Sequence, residues 1–327
     1  MRYIGILFCL TLSNLVQAGV VSTFGSRWDA APRVVAGNER SLDGGLRFSV
    51  SGGSFLQFRD QFQWNVTPSV SAFQQAVEQS FSAWTMVDPA SGLGTSLSFV
   101  PDFATSVASG ASFGTLDING AEIDLVASNQ GTSVLTGLTV VSANGFPVTL
   151  TSGVPSYVNS ATIQGVDLHL NNNPNAVYSL DVFRRLLSHE IGHAIGLGDV
   201  DLDSNLEVDF IDDNFDPNDP VNTLTNSWAG LVDPFDPANS VGLSTFTIAP
   251  STFSLNGVDI LMESNGVGIG STNPLSNLFP LTNDDFGTRQ YLYPSVTAVP
   301  EPGTGGMLIA GLAAGVGWRR RRSRAVK

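Results

Sequence analysis

Residues 189–199 read His189-Glu190-Ile191-Gly192-His193-Ala194-Ile195-Gly196-Leu197-Gly198-Asp199. Two imidazoles stand four positions apart, a glutamate follows the first, and an aspartate lies just past two glycines. On a helix, residues i and i+4 share a face, so His189 and His193 can direct ring nitrogens at one point while Glu190 projects beside it. That is the layout of a catalytic zinc site, which takes three protein ligands and keeps a fourth position open. Asp199 is the local candidate for the third ligand. Gly196 and Gly198 permit the left-handed or sharply turned backbone that would end the helix and swing Asp199 back toward the ion. The alternative is a surface helix that happens to carry two histidines. Against it, Val182, Phe183, Leu186, Leu187, Ile191, Ala194 and Ile195 make the segment apolar on most sides, and buried histidines need partners.

The motif helix is predicted to start near Ser179, with Asp181 in its first turn facing the positive end of the dipole. Upstream, short alternating runs at 46–50, 97–99, 123–125, 138–141, 148–150 and 166–170 read as half-buried strands. A helix interrupts them: Thr67 is a good N-cap, Pro68 suits the first helical position, and Val70, Phe73, Val77, Phe81 and Trp84 share one face until Asp88-Pro89. This aromatic stripe is expected to pack on the sheet as core. A further helix is expected from Thr282, with acids in its first turn and Phe286, Gln290, Tyr291 and Leu292 leading to Pro294. The fold class is therefore α+β.

Both ends carry processing signals. Arg2, the apolar run 4–12 and Val16-Gln17-Ala18 read as a signal peptide over residues 1–18. At the other end, a linker over 295–304 leads into a tail, 299–327, in which Val299-Pro300-Glu301-Pro302 is followed by a Gly-rich apolar stretch and five arginines. The apolar stretch is shorter than the ~20 residues that cross a bilayer comfortably. The tail resembles the PEP-CTERM sorting signal of bacterial envelope proteins. That resemblance implies an exosortase-type processing enzyme as partner, transient membrane anchoring through the tail, and an exported protein of the cell envelope or exterior. Arg2 and six basic residues after Trp318 fall in these ends, so residues 19–302 hold 8 basic against 29 acidic side chains, a net charge of −21. Such a surface repels nucleic acid and favours divalent cations. The single cysteine, Cys9, lies in the signal segment, so residues 19–302 form no disulfide and no cysteine can keep the site latent.

With the motif in place, the chain resembles the metzincin metalloproteases and, among them, the matrixin-like proteins of bacteria. The pattern HExxHxxGxxD is matched by His189, Glu190, His193, Gly196 and Asp199; most members carry histidine at the last position, and carboxylate is also an accepted zinc ligand. Ile260-Leu261-Met262-Glu263-Ser264 resembles the family's methionine turn. Leu281-Thr282-Asn283-Asp284-Asp285, followed by Tyr291-Leu292-Tyr293, resembles its terminal helix. The early helix ending in Ala83-Trp84, with the strand at 97–99 after it, also fits. The resemblance implies a catalytic domain over 19–294 with a twisted mixed β-sheet, an active-site helix and a C-terminal helix. It also implies zinc on His189, His193 and Asp199, Glu190 as the catalytic base, Met262 supporting the site from below, and a protein or peptide substrate lying along an edge strand.

Two features depart from that pattern. Met262 stands 63 positions past Asp199, which defines an insertion over 200–258. His169 sits where many matrixins place a structural-zinc histidine, but with three histidines in the chain its companions are absent, so it reads as a polar strand-face residue. The insertion opens with Asp201, Asp203, Asn205, Glu207, Asp209 and Asp212, spaced as oxygen ligands of an EF-hand-like calcium loop, although Leu206 replaces the usual glycine and Asp212 the usual glutamate. A solvated acidic loop is the alternative.

The expectation is an exported zinc endopeptidase with calcium as a second cofactor. Zinc would bring the pKa of water toward ~7 and polarise the scissile carbonyl, while Glu190 takes the proton and passes it to the leaving amine. Two other readings stay open: a non-catalytic surface or biofilm-matrix protein on the same scaffold, and a calcium-dependent adhesion module. Whether residues 19–45 form a short propeptide is open as well.

Overall fold

The computed structural model describes residues 26–87, 94–105, 107, 120–144, 148, 162–199, 209–211, 245–247, 259–263, 266–271, 273–293 and 295. All of them belong to the first of two compact units, Met1–Ser295 and Val296–Lys327. In chain order the elements are β1 (Val34–Val35), β2 (Asn38–Glu39), β3 (Leu46–Val50), α1 (Phe55–Arg59), β4 (Gln63–Trp64), α2 (Val70–Ala83), β5 (Phe99–Pro101), β6 (Ile123–Ser128), β7 (Gly137–Asn144), β8 (Thr162–Asn171), β9 (Val177–Tyr178), α3 (Leu180–Ala194), β10 (Asp209–Ile211), β11 (Thr245–Thr247) and α4 (Asn283–Leu292).

Five strands form a mixed sheet in the order β5-β3-β6-β8-β7, the content expected of an α+β fold. β5, β3, β6 and β8 run parallel, and β7 closes one edge antiparallel to β8 with a bulge at Ser142/Ala143. Two of the strands expected to be half-buried are not: every residue of β6 and β8 is buried. Parallel strands in crossover units are covered on both faces, so alternation in their sequences does not mean exposure to water. One face packs Phe48, Ile123, Leu125, Val166, Leu168 and Leu170 into the main core. By the alternation of strand side chains, Ser49, Asp124, Asp167 and His169 lie on the other face. There the Ser49 hydroxyl donates to Asp124 at 2.7 Å, and His169 Nδ1 lies 3.2 Å from Ser128 Oγ. His169 is thus fully buried on its strand and takes no part in the histidine–aspartate cluster described below.

α2 and α3 pack against each other, and α3 also touches β7 and β8. Phe73, Val77, Phe81 and Trp84 of the predicted stripe are buried, with Phe81 stacked on Phe48 at 4.2 Å between ring centroids. The cap differs from expectation: α2 starts at Val70, and the Ser69 hydroxyl, not Thr67, accepts the Ala72 N–H. Ser69 is extended at φ −62°, ψ 157°, so Pro68 lies outside the helix instead of in its first turn. The strand read at 97–99 pairs two residues later, at Phe99–Pro101. α1 was not anticipated; at five residues it is too short for periodicity to show, and it adds Phe55 and Phe58 to the core. Phe58, Phe62, Trp64, Phe73, Tyr178 and Phe183 then make edge-to-face or tilted contacts at 5.1–6.4 Å. Such pairs contribute about 0.5–1.5 kcal/mol each beyond their burial, and these anchor the start of α3.

The segment from Ser26 is part of this fold. Trp28 and Arg40 are buried, Ile163 N–H donates to the Arg27 carbonyl, and the Arg40 guanidinium donates to the carbonyls of Gly120 and Ala121. The proposed calcium ligands Asp201, Asp203, Asn205, Glu207 and Asp212 lie outside the described residues, and of Asp209 only the backbone, in β10, is described. The strand read at 148–150 is described only at the buried Val148.

Candidate metal centre

Ser179 caps α3 by accepting the Val182 N–H, with Asp181 in the first turn, as the sequence predicts. The helix runs to Ala194 and ends in a Schellman turn. Gly196, at φ +102°, sends its N–H to the His193 carbonyl, and the Leu197 N–H goes to Gly192 O. This reversal carries Asp199 back over the helix end.

Three atoms then converge. His193 Nε2 lies 3.1 Å from His189 Nε2 and 3.2 Å from Asp199 Oδ1, and His189 Nε2 lies 3.4 Å from the same oxygen. Four ligands around an ion with bonds of about 2.0–2.1 Å sit about 3.3 Å from one another in a tetrahedron, so these three atoms have the spacing of three corners of a zinc shell. Both ring tautomers are set from behind. His189 Nδ1 lies 2.7 Å from the Leu261 carbonyl and His193 Nδ1 lies 3.0 Å from that of Leu197. A carbonyl can only accept, so each Nδ1 carries a proton and each ring, when neutral, presents its Nε2 lone pair to the centre. Asp199 Oδ1 is buried with no donor aligned on it. Three ligand atoms at this spacing could hold a cation, and the chemistry of the set, two imidazoles and a carboxylate, fits zinc.

The electrostatics agree. Burial, reinforced by the neighbouring His193, lowers the His189 imidazole and keeps it neutral. Burial also pushes His193 down, but the Asp199 carboxylate and the Glu190 charge outweigh it and lift His193 to about 9. Burial opposes ionisation of Asp199, and the two imidazoles hold it below its ordinary value nonetheless. In the metal-free protein, a proton on His193 supplies the positive charge that the trio needs. The side chains of His193 and Asp199 keep 20% and 15% exposure against 6% for His189, so the centre opens to solvent on their side.

Glu190 is buried beside this group, and its carboxylate is aimed by β7. The Thr139 hydroxyl donates to Oε2 at 2.6 Å. Gly137 leaves room for the carboxylate, since a Cβ there would fall 2.0 Å from Oε1. Met262 lies under the helix: a Cβ on Gly192 would meet its sulfur at 2.3 Å and the Trp84 ring at 2.8 Å. The Leu261 carbonyl that holds His189 belongs to the same turn. Asp285, at the start of α4, accepts the N–H groups of Leu261 and Met262 as well as the N–H and hydroxyl of Thr282. Arg185, buried one turn before His189, donates to the carbonyls of Gly268, Asn273 and Pro274 and so fixes the chain that follows this turn. Thr139, Gly137 and Arg185 have no part in the sequence motif. Only the glycine-and-threonine start of a strand could have hinted at the first two.

Residues 298–322 match the PEP-CTERM protein-sorting motif. The chain thus carries a signal for export to the bacterial cell envelope or surface and for processing by an exosortase-type enzyme. A comparison of the chain with curated proteins finds no match. Among the described residues, no helix is long and apolar enough to cross a membrane.

Proposed function

We propose that this protein is an exported zinc endopeptidase of the metzincin type. The observation that carries the reading is the convergence of His189 Nε2, His193 Nε2 and Asp199 Oδ1, each held with an acceptor toward one point. Zinc held by these residues would supply a Lewis acid for the scissile carbonyl and a means of acidifying water near neutral pH. Glu190 is the base. Its carboxylate, held by Thr139, takes the proton from the attacking water and returns it to the leaving amine. A substrate chain in extended form would add to the edge of β7 that is unpaired among the described residues, which brings its backbone past Glu190 on the strand that carries Thr139 and Gly137. Met262 and Leu261 act from beneath, without touching substrate, by packing on Gly192 and fixing the His189 tautomer. The mixed sheet, the motif helix and α4 are the parts that the metzincin resemblance implies. A retired scaffold would have no use for a carboxylate aimed in this way.

The test compares zinc content and hydrolysis of casein or a peptide library for wild type and Glu190→Gln. Both forms are expected to hold zinc, with hydrolysis falling by about 10²–10⁴ in the variant. Equal hydrolysis by the two forms overturns the assignment of Glu190.

A further inference from the structure

The end of α3 can be accounted for carbonyl by carbonyl. Ile191 O and Gly192 O accept from Ile195 N, Gly192 O also takes the Leu197 N–H, and His193 O takes the Gly196 N–H. That leaves Ala194 and Ile195, both fully buried, with carbonyls that the Schellman turn does not reach. Each finds a donor from far away in sequence. The Trp28 indole N–H donates to Ala194 O at 3.0 Å, and the Tyr293 hydroxyl donates to Ile195 O at 2.7 Å. The two donors are joined, because the Trp28 backbone N–H donates to the Tyr293 oxygen at 3.0 Å. Tyr293 is held in turn by Ser96 N–H and the Thr95 hydroxyl, which both donate to its carbonyl. Ser26 closes the arrangement: a Cβ at position 196 would fall 2.1 Å from its carbonyl oxygen, so the N-terminal segment fills the space left by the missing side chain of Gly196.

This clamp sits at the start of the three-residue link between Ile195 and Asp199. The same link supplies Leu197 O, which sets the tautomer of His193. We infer that Trp28 and Tyr293 are positioning residues of the metal centre, which hold Asp199 and the Leu197 carbonyl in place by locking the end of α3, and that the segment from Ser26 is a permanent working part of the domain. It is not a propeptide to be discarded. The inference rests on the zinc reading above.

The test uses the full chain and measures zinc affinity by competition with a chromophoric chelator, together with the visible spectrum of the cobalt(II) form. The forms compared are wild type, Trp28→Phe, Tyr293→Phe, Asp199→Ala and the double variant Tyr293→Phe/Asp199→Ala. Tyr293→Phe keeps the ring and removes the hydroxyl donor, Trp28→Phe keeps an aromatic side chain without the indole N–H, and each is expected to weaken zinc by about 10- to 100-fold and to shift the cobalt bands. In the Asp199→Ala background, Tyr293→Phe is expected to cost less than it does in wild type, because one of the two ligands it acts through is already gone. A Tyr293→Phe form that binds zinc as tightly as wild type overturns the clamp, as does an equal further loss in the double variant. Should Tyr293→Phe not fold, the same cycle is run with Trp28→Phe. A wild type that binds no zinc overturns the metal-centre reading itself, which separates the two failures.

Discussion

At the scale of the residue, the proposed chemistry depends on the direction of one carboxylate. Glu190 is adjacent to His189 in sequence, but its orientation comes from β7, about fifty positions upstream. Gly137→Ala would place a methyl 2.0 Å from Oε1 and force the carboxylate away. The expected result is a drop in kcat of at least about tenfold with zinc content unchanged, since a lost charge-assisted contact costs about 1.5–3 kcal/mol. Steady-state kinetics beside metal analysis checks it; unchanged kcat would mean that β7 does not aim the base. His189, Glu190, His193 and Asp199 were legible in the sequence because a helix and its turn bring together residues close in the chain. Thr139, Gly137 and the Leu261 carbonyl were not, for two reasons. The sheet joins what the sequence separates, and a backbone acceptor has no residue type to read.

At the scale of the element, caps and turns fix where each helix begins and what it holds. The start of α3 was readable because Ser179 stands as a capping residue ahead of Asp181, and that of α4 because Thr282 opens a run of capping residues with Asp285 three positions on. α2 was misplaced because Thr67 and Ser69 both qualify, and the choice between them depends on how the chain leaves β4. Asp285 ties α4 to the turn that carries Met262, and its burial raises its carboxyl from the ordinary 3.8 to about 6. The folded state therefore keeps a proton that the unfolded chain releases between about pH 4 and 6, and this group's contribution to stability falls as pH rises through that window. Asp285→Asn removes the dependence. Relative to wild type, the variant is expected to gain up to about 3 kcal/mol between pH 4 and 6 and nothing further above it, as read from denaturant titrations of the metal-free proteins. A stability difference that is flat with pH would show that Asp285 is ionised throughout.

At the scale of the whole molecule, the α+β class was legible from alternation and the helix periods, whereas burial on both faces of β6 and β8 was not, because Asp124, Asp167 and His169 have the polarity of surface residues while lying under other parts of the chain. The sorting signal marks the protein for export to the cell envelope or surface, and Glu301→Gln within Pro300-Glu301-Pro302 is expected to block removal of the tail in a host with an exosortase. Intact mass of the recovered protein checks this; a mass equal to that of processed wild type would contradict it. The account as a whole stands on the ion. Its most direct test is metal analysis of the purified, extensively dialysed full chain beside His189→Ala/His193→Ala. The prediction is one zinc per chain in wild type and none in the variant; a zinc-free wild type, or a variant that keeps its zinc, would contradict the account.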